Sequence, residues 1–408
     1  MFKRIGVIGA GVMGRGIAQL FASAGIEIRL FDAREQAVEQ ALQANRELLA
    51  RGVAKGRLTP EALAATLQRM QPAKRLAELA DCDLLIEAIV EELSAKQALF
   101  RELEALVAED AVLASNTSSL SITRIAAGCR CPQRVAGLHF FNPVPLMRLV
   151  EVVRGERTET TVVERLVALV EQAGHFPAIT PDSPGFLVNH AGRAFGSEAL
   201  RILGEGIASA EQIDRILRDG PGFRMGPFEL FDLTGLDISH AVMESIYHQY
   251  YQDPRYSPSP LAAQRVAAGL LGRKSGLGFY RYEQGRQLRS AEPQYAPVEL
   301  RQPFWLGVED PQLHAALSAL IRMAGGEVEA GEHPGAQAIC LIAPLGEDAS
   351  AAIARLALPA PRTLAYDAFS NFERRRVLMR QPALEPGVEA QARQALAADG
   401  VAVDVIND

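Results

Sequence analysis

The chain has 408 residues, more than one ordinary hydrophobic core accommodates, so we expect two or three domains. Hydrophobic residues make up 48% of the sequence and charged residues 22%, which is typical of a soluble globular protein. The net charge of −7 argues against nucleic acid as a general partner, because phosphate binding needs a basic surface. Any anionic ligand must therefore meet local positive charge.

The sequence contains neither a membrane-span pattern nor a cysteine framework. No apolar run approaches the roughly 18 residues of a membrane span, and the amino terminus enters a strand-like run without a signal-peptide pattern, so we expect no membrane association and a cytoplasmic location. The cysteines are scattered, and Cys129 and Cys131 lack the second ligand pair of a structural zinc site. We expect free thiols and no metal site.

A glycine-rich turn opens the chain. A β-rich run at 3–8 is followed by Gly9-Ala-Gly-Val-Met-Gly14 and an amphipathic stretch to Ala24, the strand, turn and helix of a dinucleotide site. Gly9 permits the tight turn, Gly11 lets the backbone approach the pyrophosphate, and Gly14 lets the helix pack on the strand. Phosphate then binds at the amino terminus of the helix.

The next strand predicts which nicotinamide cofactor binds. The run Glu27–Phe31 ends at Asp32, eighteen residues past Gly14, as a dinucleotide site requires. The Asp32 carboxylate can accept hydrogen bonds from the adenosine ribose hydroxyls and would repel the 2′-phosphate of NADP, so we expect NAD. Arg34 leaves an alternative open, because an arginine just beyond this strand can bind that phosphate. We expect Arg34 to be an ordinary solvated residue.

Polar groups follow apolar runs in the stretch between Ser115 and Glu151. These groups are Ser115-Asn-Thr-Ser-Ser119, His139-Phe-Phe-Asn-Pro-Val-Pro145 and Glu151. An open α/β sheet keeps its chemistry at such strand ends. If the flanking strands pair, the imidazole of His139 and the carboxylate of Glu151 come together as a general base. The alternative is a structural histidine beside aromatic residues.

Together these motifs resemble the L-3-hydroxyacyl-CoA dehydrogenase family over about residues 3 to 282. Three further motifs match in family order and spacing, namely Asp182-Ser-Pro-Gly-Phe-Leu-Val-Asn189, Met225-Gly-Pro-Phe-Glu-Leu230 and Gly272-Arg-Lys-Ser-Gly-Leu-Gly-Phe-Tyr280. The resemblance implies NAD-dependent oxidation of an L-3-hydroxyacyl-CoA thioester to the 3-oxoacyl form. Such a reaction belongs to fatty-acid β-oxidation or to aromatic-acid catabolism such as phenylacetate breakdown.

The resemblance also implies residue roles. His139 is the base, Glu151 orients it and stabilises its imidazolium, and Ser118 and Asn189 hold the substrate oxygens. The implied cofactor residues are Gly9, Gly11, Met13, Gly14, Asp32, Glu91 and Lys96. The implied substrate residues are Ser118, Asn142, Asn189, Lys55 and Arg57. Glu92 stands where the family has asparagine, which affects the fine position of the cofactor.

Two of these assignments have structural alternatives. Lys55 and Arg57 lie in a basic turn between two predicted helices, where the family binds coenzyme A, but they also suit a solvated loop tip. Asn189 falls at the predicted seam between domains, where ligand sites often lie, but an asparagine there can simply cap a helix.

The fold class follows from the pattern of elements. We expect an α/β Rossmann-type NAD-binding domain at 1–184 and an all-α domain at 185–282, broken at Gly220-Pro-Gly222 and Gly226-Pro227, which in the family covers the site and forms a homodimer. A polar linker at 283–303 and a degenerate α/β domain at 304–408 complete the predicted division.

The last segment repeats the first domain at an offset of 226 residues, so that Val112–Ser115 falls on Ala338–Leu341 and Asp182 on Asp408. Chance is the alternative for any single match. In this register Ser118, His139 and Glu151 map to Pro344, Ala365 and Val377, which cannot perform their chemistry. Larger family members, including phenylacetate-pathway types, carry such a region followed by a second helical domain. We expect the native product to continue into that domain.

Two rival functions remain at this point. The first is an NAD-binding, crystallin-like relative that has lost the reaction, against which the intact Ser118, His139, Glu151 and Asn189 count. The second is another hydroxy-acid dehydrogenase, many of which use a lysine base, but no lysine stands at a matching position. Acyl chain length, substituents, pathway and direction stay open.

Overall fold

The computed structural model describes residues 2–34 and 36–408. They form two compact units. One runs to Gly192 and includes Glu244–Pro254, and the other contains Arg193–Met243 and Arg255–Asp408. These units do not follow the predicted domain boundaries, and the predicted division stays a prediction. Within the described ranges no helix is long and apolar enough to cross a membrane.

The first unit is built on an eight-stranded sheet. Its strands are β1 (Arg4–Ile8), β2 (Glu27–Phe31), β3 (Met70–Pro72), β4 (Leu84–Glu87), β5 (Val112–Ser115), β6 (Val135–Phe140), β7 (Leu149–Arg154) and β8 (Phe176–Pro181). They are ordered β3-β2-β1-β4-β5-β6-β7-β8, and only β6 and β7 pair antiparallel. Strands β4, β5 and β6 are buried along their whole length, as expected for near-continuous apolar runs covered on both faces.

The helices of this sheet begin and end at signals in the sequence. They are α1 (Val12–Ser23), α2 (Ala37–Ala54), α3 (Pro60–Arg69), α4 (Leu93–Leu106), α5 (Ile122–Ala126) and α6 (Thr160–Gln172). The Thr59 hydroxyl accepts from the Ala62 N–H at 3.2 Å and so caps the start of α3. Gly174 has φ +74° just after α6, a conformation in which glycine avoids the cost of a Cβ.

The segment 185–282, predicted to be all-α, is mainly helical from Val188 to Ala267. Its helices are α7 (Val188–Ala191), α8 (Arg193–Gly204), α9 (Ala210–Asp219), α10 (Pro227–Thr234), α11 (Leu236–Gln249) and α12 (Pro260–Ala267). An antiparallel hairpin follows, formed by β9 (Arg281–Glu283) and β10 (Arg286–Leu288). Glu283 of β9 and the whole of β10 lie inside the predicted linker, and its residues 289–303 contain no helix or strand.

A second α/β sheet follows, and the predicted fold class is confirmed. Its elements are β11 (Phe304–Gly307), α13 (Pro311–Met323), β12 (Ile339–Ile342), α14 (Ala349–Arg355), β13 (Thr363–Tyr366), β14 (Arg375–Arg380), α15 (Pro386–Leu396) and β15 (Ala402–Asn407). The strands run β11-β12-β13-β14-β15, with only β13 and β14 antiparallel. This order and these directions repeat those of β4 to β8.

The repeat extends to strand register. Leu149 pairs with Phe176 in the first sheet, and Arg375 pairs with Ala402 in the second, so both partners are displaced by 226 residues. The aspartates that follow the last strand of each sheet, Asp182 and Asp408, also correspond. Asp182 accepts from the backbone N–H groups of Ile122 and Thr123 at the start of α5, with donor–acceptor distances of 2.9 and 2.7 Å.

Asp408 makes the equivalent contacts in the second sheet. It accepts from the backbone N–H groups of Ala349 and Ser350 at the start of α14, at 2.7 and 2.8 Å. A chance match of sequence patterns would not reproduce a side-chain cap, a strand order and a register together. We therefore infer an internal duplication.

The structure corrects the predicted register for the middle of the repeat. Val153 pairs with Gly137, and Met379 pairs with Ala365, so Ala365 corresponds to Gly137 rather than to His139. Counting along the strand, His139 then corresponds to Asp367, two residues beyond Ala365. A constant offset misses this shift because small length changes precede β12 and β13. The Asp367 N–H donates to the carbonyl of Val377 at 3.0 Å, and no imidazole–carboxylate pair is repeated there.

Polar groups on β15 join the second sheet to the helical residues of its own unit. The Asn407 N–H donates to the Ile207 carbonyl at 2.9 Å, and Arg215 pairs with Asp404 at 2.7 Å. The positions on β8 that correspond to Asn407 and Asp404 are occupied by Pro181 and Ala178, which offer neither group. These contacts of β15 therefore have no counterpart at the corresponding positions of β8.

Candidate active site

The glycine turn between β1 and α1 leaves no room for side chains. Gly9 has φ +104°, and a Cβ there would lie 2.4 Å from the Ala88 carbonyl oxygen. A Cβ on Gly14 would lie 1.7 Å from the Gly9 carbonyl oxygen. Helix α1 can therefore pack this closely against the turn after β1 only if residue 14 is glycine. Gly11 caps α1 and meets nothing within 4 Å. An open backbone at a helix amino terminus suits a phosphate group.

Asp32 is half-buried beside this turn, and its carboxylate is already hydrogen-bonded. Its side chain is 9% exposed and accepts from the Ala10 N–H at 2.8 Å and from the Arg34 guanidinium at 3.1 Å. Burial alone would raise the pKa of Asp32, but the hydrogen bonds from Arg34 and Ala10 hold it below its usual value. Arg34 is exposed, as expected of a solvated residue, yet it is bound to Asp32.

His139 and Glu151 face each other across the antiparallel pair β6 and β7. Their backbones are in register, and the imidazole Nδ1 lies 2.5 Å from Glu151 Oε2. Both side chains are almost completely buried, and the ring of Phe141 contacts His139 at 4.6 Å between centroids. Because Nδ1 is engaged, Nε2 is the ring nitrogen available to a substrate. The structure thus shows the expected pairing of strands.

The second oxygen of Glu151 holds another element. Oε1 accepts from the backbone N–H groups of Leu187 and Val188, both at 2.8 Å, at the start of α7. Asn189 lies in that helix, and its Nδ2 donates to the Ser118 carbonyl at 3.2 Å. A single buried carboxylate therefore orients His139 and also the segment that carries Asn189. No pattern in the sequence predicts this second contact.

Glu91 holds the turn that presents Ser118. One carboxylate oxygen accepts from the Thr117 hydroxyl at 2.5 Å and from the Ser118 and Ser119 N–H groups at 2.8 and 3.0 Å. Burial would raise the pKa of Glu91, but Lys96 and these donors lower it, so the carboxylate stays charged.

Sequence reasoning missed a residue behind this turn, Glu87. Its side chain is fully buried and binds the Lys96 ammonium at 2.6 Å and the Ser115 hydroxyl at 2.6 Å. Lys96 is 1% exposed and also lies 3.3 Å from Glu91. Its charge is thus directed at two carboxylates within the protein. A buried strand that ends in glutamate, nine residues before a lysine on the next helix, was the available signal.

We expect Lys96→Met to lower the free energy of unfolding by about 3 to 5 kcal/mol, because Glu87 would be left buried without its cation. Urea denaturation measures this loss. The double variant Glu87→Gln/Lys96→Met should recover most of it, since neither buried charge remains, whereas Lys74→Met on the surface should change stability little. A double variant as unstable as the single one would show that burial of an unpaired charge is not the cause.

The remaining predicted site residues lie on the surface or beside the glycine turn. Met13 is half-buried in α1, and Asn142 is exposed in the loop after β6. Lys55 and Arg57 are exposed in the turn between α2 and α3. The structure brings together His139, Glu151, Ser118, Asn189, Glu91 and Lys96 at or behind the carboxyl ends of β4, β5 and β6. The roles of all these residues remain predictions.

Other chemistry is not evident in the described residues. Over residues 2–34 and 36–408, no group of three or more histidine, cysteine, aspartate or glutamate side chains is arranged to hold a metal ion. The four cysteines are free. A groove beside the glycine turn is lined by residues that include Gly11, Asp32, Ile89 and Leu99. Its position fits the adenosine half of a dinucleotide.

The sequence matches two models of one protein family. The NAD-binding domain of 3-hydroxyacyl-CoA dehydrogenase matches residues 4–183, and the C-terminal domain of 3-hydroxyacyl-CoA dehydrogenase matches residues 185–282. Together they account for more than half of the chain.

Named relatives show the same likeness. The 3-hydroxyadipyl-CoA dehydrogenase of Escherichia coli is 43% identical over 302 residues, which are 73% of this chain and 64% of that protein. The chain thus spans less than two thirds of the length of this relative. The probable 3-hydroxybutyryl-CoA dehydrogenase of Bacillus subtilis is 42% identical over 69% of this chain and 98% of its own length.

Solved structures extend the likeness to the whole chain. The crystal structure of 3-hydroxybutyryl-CoA dehydrogenase from Escherichia coli matches with a TM-score of 0.85 and 36% identity, covering 100% of this chain and 81% of that one. The (S)-3-hydroxybutyryl-CoA dehydrogenase from Ralstonia eutropha matches with a TM-score of 0.68 and 39% identity over 70% of this chain and all of its own. The chain belongs to the 3-hydroxyacyl-CoA dehydrogenase family of NAD-dependent oxidoreductases.

Proposed function

We propose that this chain oxidises the 3-hydroxyl group of an L-3-hydroxyacyl-CoA thioester to a 3-oxo group. The observation that carries the proposal is the buried pair of His139 and Glu151, which leaves Nε2 of the imidazole available. Oxidation of a secondary alcohol needs a base for the hydroxyl proton, and a histidine oriented by a carboxylate is suited to that task. Intact catalytic groups count against an inactive relative.

The proton of the substrate hydroxyl passes to Nε2 of His139. Nδ1–H remains bound to Glu151, whose negative charge stabilises the imidazolium that forms. Ser118 and Asn189 hold the substrate oxygens, and their mutual contact through the Ser118 carbonyl keeps them at the same place. Asn142, exposed after β6, is a further substrate contact in this proposal. NAD supplies the hydride acceptor when it is bound.

The residues of the cofactor site fit a dinucleotide. The glycine turn has no room for a side chain at Gly9 or Gly14, and at Gly11 it leaves the amino terminus of α1 open. Met13 lies on the first turn of α1. Asp32 lies beside the glycine turn for the adenosine ribose, Glu91 follows β4, and Lys96 on α4 lies 3.3 Å from Glu91. Lys55 and Arg57 supply local positive charge for the phosphates of coenzyme A.

Removal of the Asp32 carboxylate should weaken the preference for NAD over NADP. In Asp32→Ala, repulsion of the 2′-phosphate disappears and Arg34 loses the carboxylate that now binds it. We expect the ratio of kcat/KM for NAD to kcat/KM for NADP to fall by about 10- to 100-fold, roughly 1.4 to 2.7 kcal/mol. Steady-state kinetics with both cofactors measures the ratio.

Arg34 provides the control for this prediction. The double variant Asp32→Ala/Arg34→Ala should lose most of the gained NADP activity, because no cation then meets the 2′-phosphate. Equal use of NAD and NADP by the unmodified protein would contradict the assignment of Asp32.

The substrate and setting complete the proposal. We propose that the chain forms a homodimer through residues 185–282, as the resemblance to the family implies. We also propose a cytoplasmic location, in keeping with the four free thiols. We propose that the reaction belongs to β-oxidation-type or aromatic-acid catabolism, which the names of the relatives, for 3-hydroxyadipyl-CoA and 3-hydroxybutyryl-CoA, support. The domain division 1–184, 185–282, 283–303 and 304–408 is part of the same proposal.

Oxidation of NADH against a panel of 3-oxoacyl-CoA thioesters tests the function directly. The panel should include 3-oxobutyryl-CoA, longer unbranched chains and 3-oxoadipyl-CoA. Turnover with at least one member supports the proposal. NAD binding without turnover of any thioester would favour the inactive relative.

A further inference from the structure

The backbone at Ser118 and Ser119 is held by side chains alone. Both residues lie outside any helix or strand, yet each of their main-chain polar groups has a partner. The two N–H groups donate to Glu91 at 2.8 and 3.0 Å. The Ser118 carbonyl accepts from Asn189 at 3.2 Å, and the Ser119 carbonyl accepts from Gln249 Nε2 at 2.7 Å. The contact of Gln249 is the shortest of the four, and no pattern in the sequence points to Gln249.

Gln249 is well placed to hold this carbonyl. It is the last residue of α11, and residues 244–254 belong to the same compact unit as the residues up to Gly192. Its side-chain NH₂ group also donates to the Ser245 hydroxyl at 3.0 Å, one helical turn earlier. Because a carbonyl oxygen only accepts hydrogen bonds, the amide must turn its NH₂ group toward Ser119. Only a hydrogen-bond donor at residue 249 can make this contact.

Of the hydroxyl groups in this turn, that of Ser118 is available to a ligand. The other hydroxyl groups between residues 115 and 121 all donate to carboxylates of the same unit. They are those of Ser115, which binds Glu87 at 2.6 Å, of Thr117 and Ser119, which bind Glu91 at 2.5 and 3.1 Å, and of Ser121, which binds Asp182 at 2.7 Å. Within residues 2–34 and 36–408, no hydrogen bond engages the hydroxyl of the half-buried Ser118. The turn thus fixes its backbone and leaves one hydroxyl for a substrate.

We propose that Gln249 is a positioning residue that aims the Ser118 hydroxyl at the 3-oxygen of the substrate. Glu91 holds the N–H groups of the turn, and Gln249 holds its carbonyl side at Ser119. Asn189 also binds that side, but through the longest of the four contacts. Without Gln249 the turn can rotate about its bonds to Glu91, and a displacement of about 1 Å slows a reaction strongly. The inference rests on the proposed oxidation of a 3-hydroxyacyl-CoA, in which Ser118 holds a substrate oxygen.

Two variants of similar shape separate positioning from packing. In Gln249→Met, which has no donor, kcat/KM for 3-hydroxybutyryl-CoA should fall by about 3- to 10-fold, as for the loss of one neutral hydrogen bond, while NAD affinity stays within about 2-fold. Gln249→Glu should be slower still, because an ionised carboxylate has no hydrogen to donate to the Ser119 carbonyl. If Gln249 only filled space, Gln249→Glu would be the faster variant, since glutamate is closer in shape to glutamine. Gln172→Met, at the exposed end of α6, is the matched control and should leave kcat/KM unchanged.

A double-variant cycle tests whether Gln249 acts through Ser118. Ser118→Ala removes the hydroxyl that Gln249 is proposed to aim, so Ser118→Ala/Gln249→Met should have the kcat/KM of Ser118→Ala within about 2-fold. A residue that only stabilised the fold would act independently of that hydroxyl, and the two losses would then multiply. Multiplied losses, or a Gln249→Met variant as fast as the unmodified protein, would overturn the inference and leave the proposed function intact.

Binding measurements distinguish this inference from the proposed function. 3-Oxobutyryl-CoA carries the 3-oxygen and butyryl-CoA lacks it, so the ratio of their dissociation constants, measured by calorimetry, reports the contact with that oxygen. The unmodified protein should bind 3-oxobutyryl-CoA more tightly, and Gln249→Met should reduce this preference by about 3- to 10-fold, toward that of Ser118→Ala. If no thioester is oxidised, the proposed function fails, and the ratio still decides the role of Gln249. Equal binding of both thioesters by the unmodified protein, or a preference that survives in Gln249→Met, would refute that role.

Discussion

His139→Gln should lower kcat by about 10²- to 10⁴-fold while NAD affinity stays within a few-fold. The expected loss is that of a general base, because glutamine cannot accept the hydroxyl proton. His139 lies at the end of β6, away from the glycine turn, so its removal should not disturb the cofactor. Stopped-flow or steady-state oxidation of a 3-hydroxyacyl-CoA measures the first quantity, and equilibrium titration of NAD the second.

The control for this variant is His314→Gln. His314 lies in α13, outside the residues that match the family models, and its substitution should leave kcat unchanged. Near-normal turnover in His139→Gln would remove His139 from the mechanism. A parallel loss of NAD binding would show instead that the variant damages the fold of the sheet edge.

Local patterns predicted the elements well because each has a chemical cause near it in sequence. Strand β2, Glu27–Phe31, has the predicted bounds, and helix α13, Pro311–Met323, likewise starts at a local signal. Both are delimited by residues that act locally, such as Gly25 with φ +94° before β2 and the Asp310 side chain that caps α13. Such signals need no tertiary structure.

Tertiary contacts were harder to predict from the sequence. In the sequence, Glu87 is only a polar residue at the end of an apolar strand. Its role depends on contacts with Lys96 in the next helix and Ser115 in the next strand, which the sequence does not reveal. The bond between Arg34 and Asp32 spans two residues but depends on a loop conformation. The expected pairing of His139 with Glu151 is present, and the second contact of Glu151, with α7, appears only in the fold.

The repeat shows the same limit. Its existence was visible in the order of elements, and the register of β7 with β8 recurs at the predicted offset in β14 with β15. Its middle part was misaligned, because small changes in loop length do not alter the pattern of elements. Strand pairing detects such shifts, since each hydrogen-bonded partner fixes the position of the other.

Glu151→Gln should lower kcat by about 10³-fold, for a reason that the two contacts of Glu151 make specific. If the amide oxygen of the glutamine keeps the bonds to the Leu187 and Val188 N–H groups, its NH₂ group faces Nδ1 of His139. Nδ1 must then accept, and the ring proton moves to Nε2, where a base needs a lone pair. An equivalent change of aspartate to asparagine in a serine protease triad lowers kcat by about 10⁴-fold.

The opposite amide orientation is no better. If the amide oxygen faces Nδ1–H, the NH₂ group faces the two backbone N–H donors in a fully buried place. Those donors then have no acceptor, and the start of the helix that carries Asn189 is loosened.

Glu151→Asp keeps the charge but is one methylene shorter, so it reaches only one of its two partners. We expect its kcat to lie between those of the unmodified protein and Glu151→Gln.

A double-variant cycle separates these roles. If Glu151 acts through His139, the variant His139→Gln/Glu151→Gln should be no slower than His139→Gln alone, because the second change removes support from a base that is already absent. A further loss would then measure the contribution of the contact with α7. Losses that multiply fully, or a Glu151→Gln variant within tenfold of the unmodified kcat, would show that the carboxylate does not govern the imidazole.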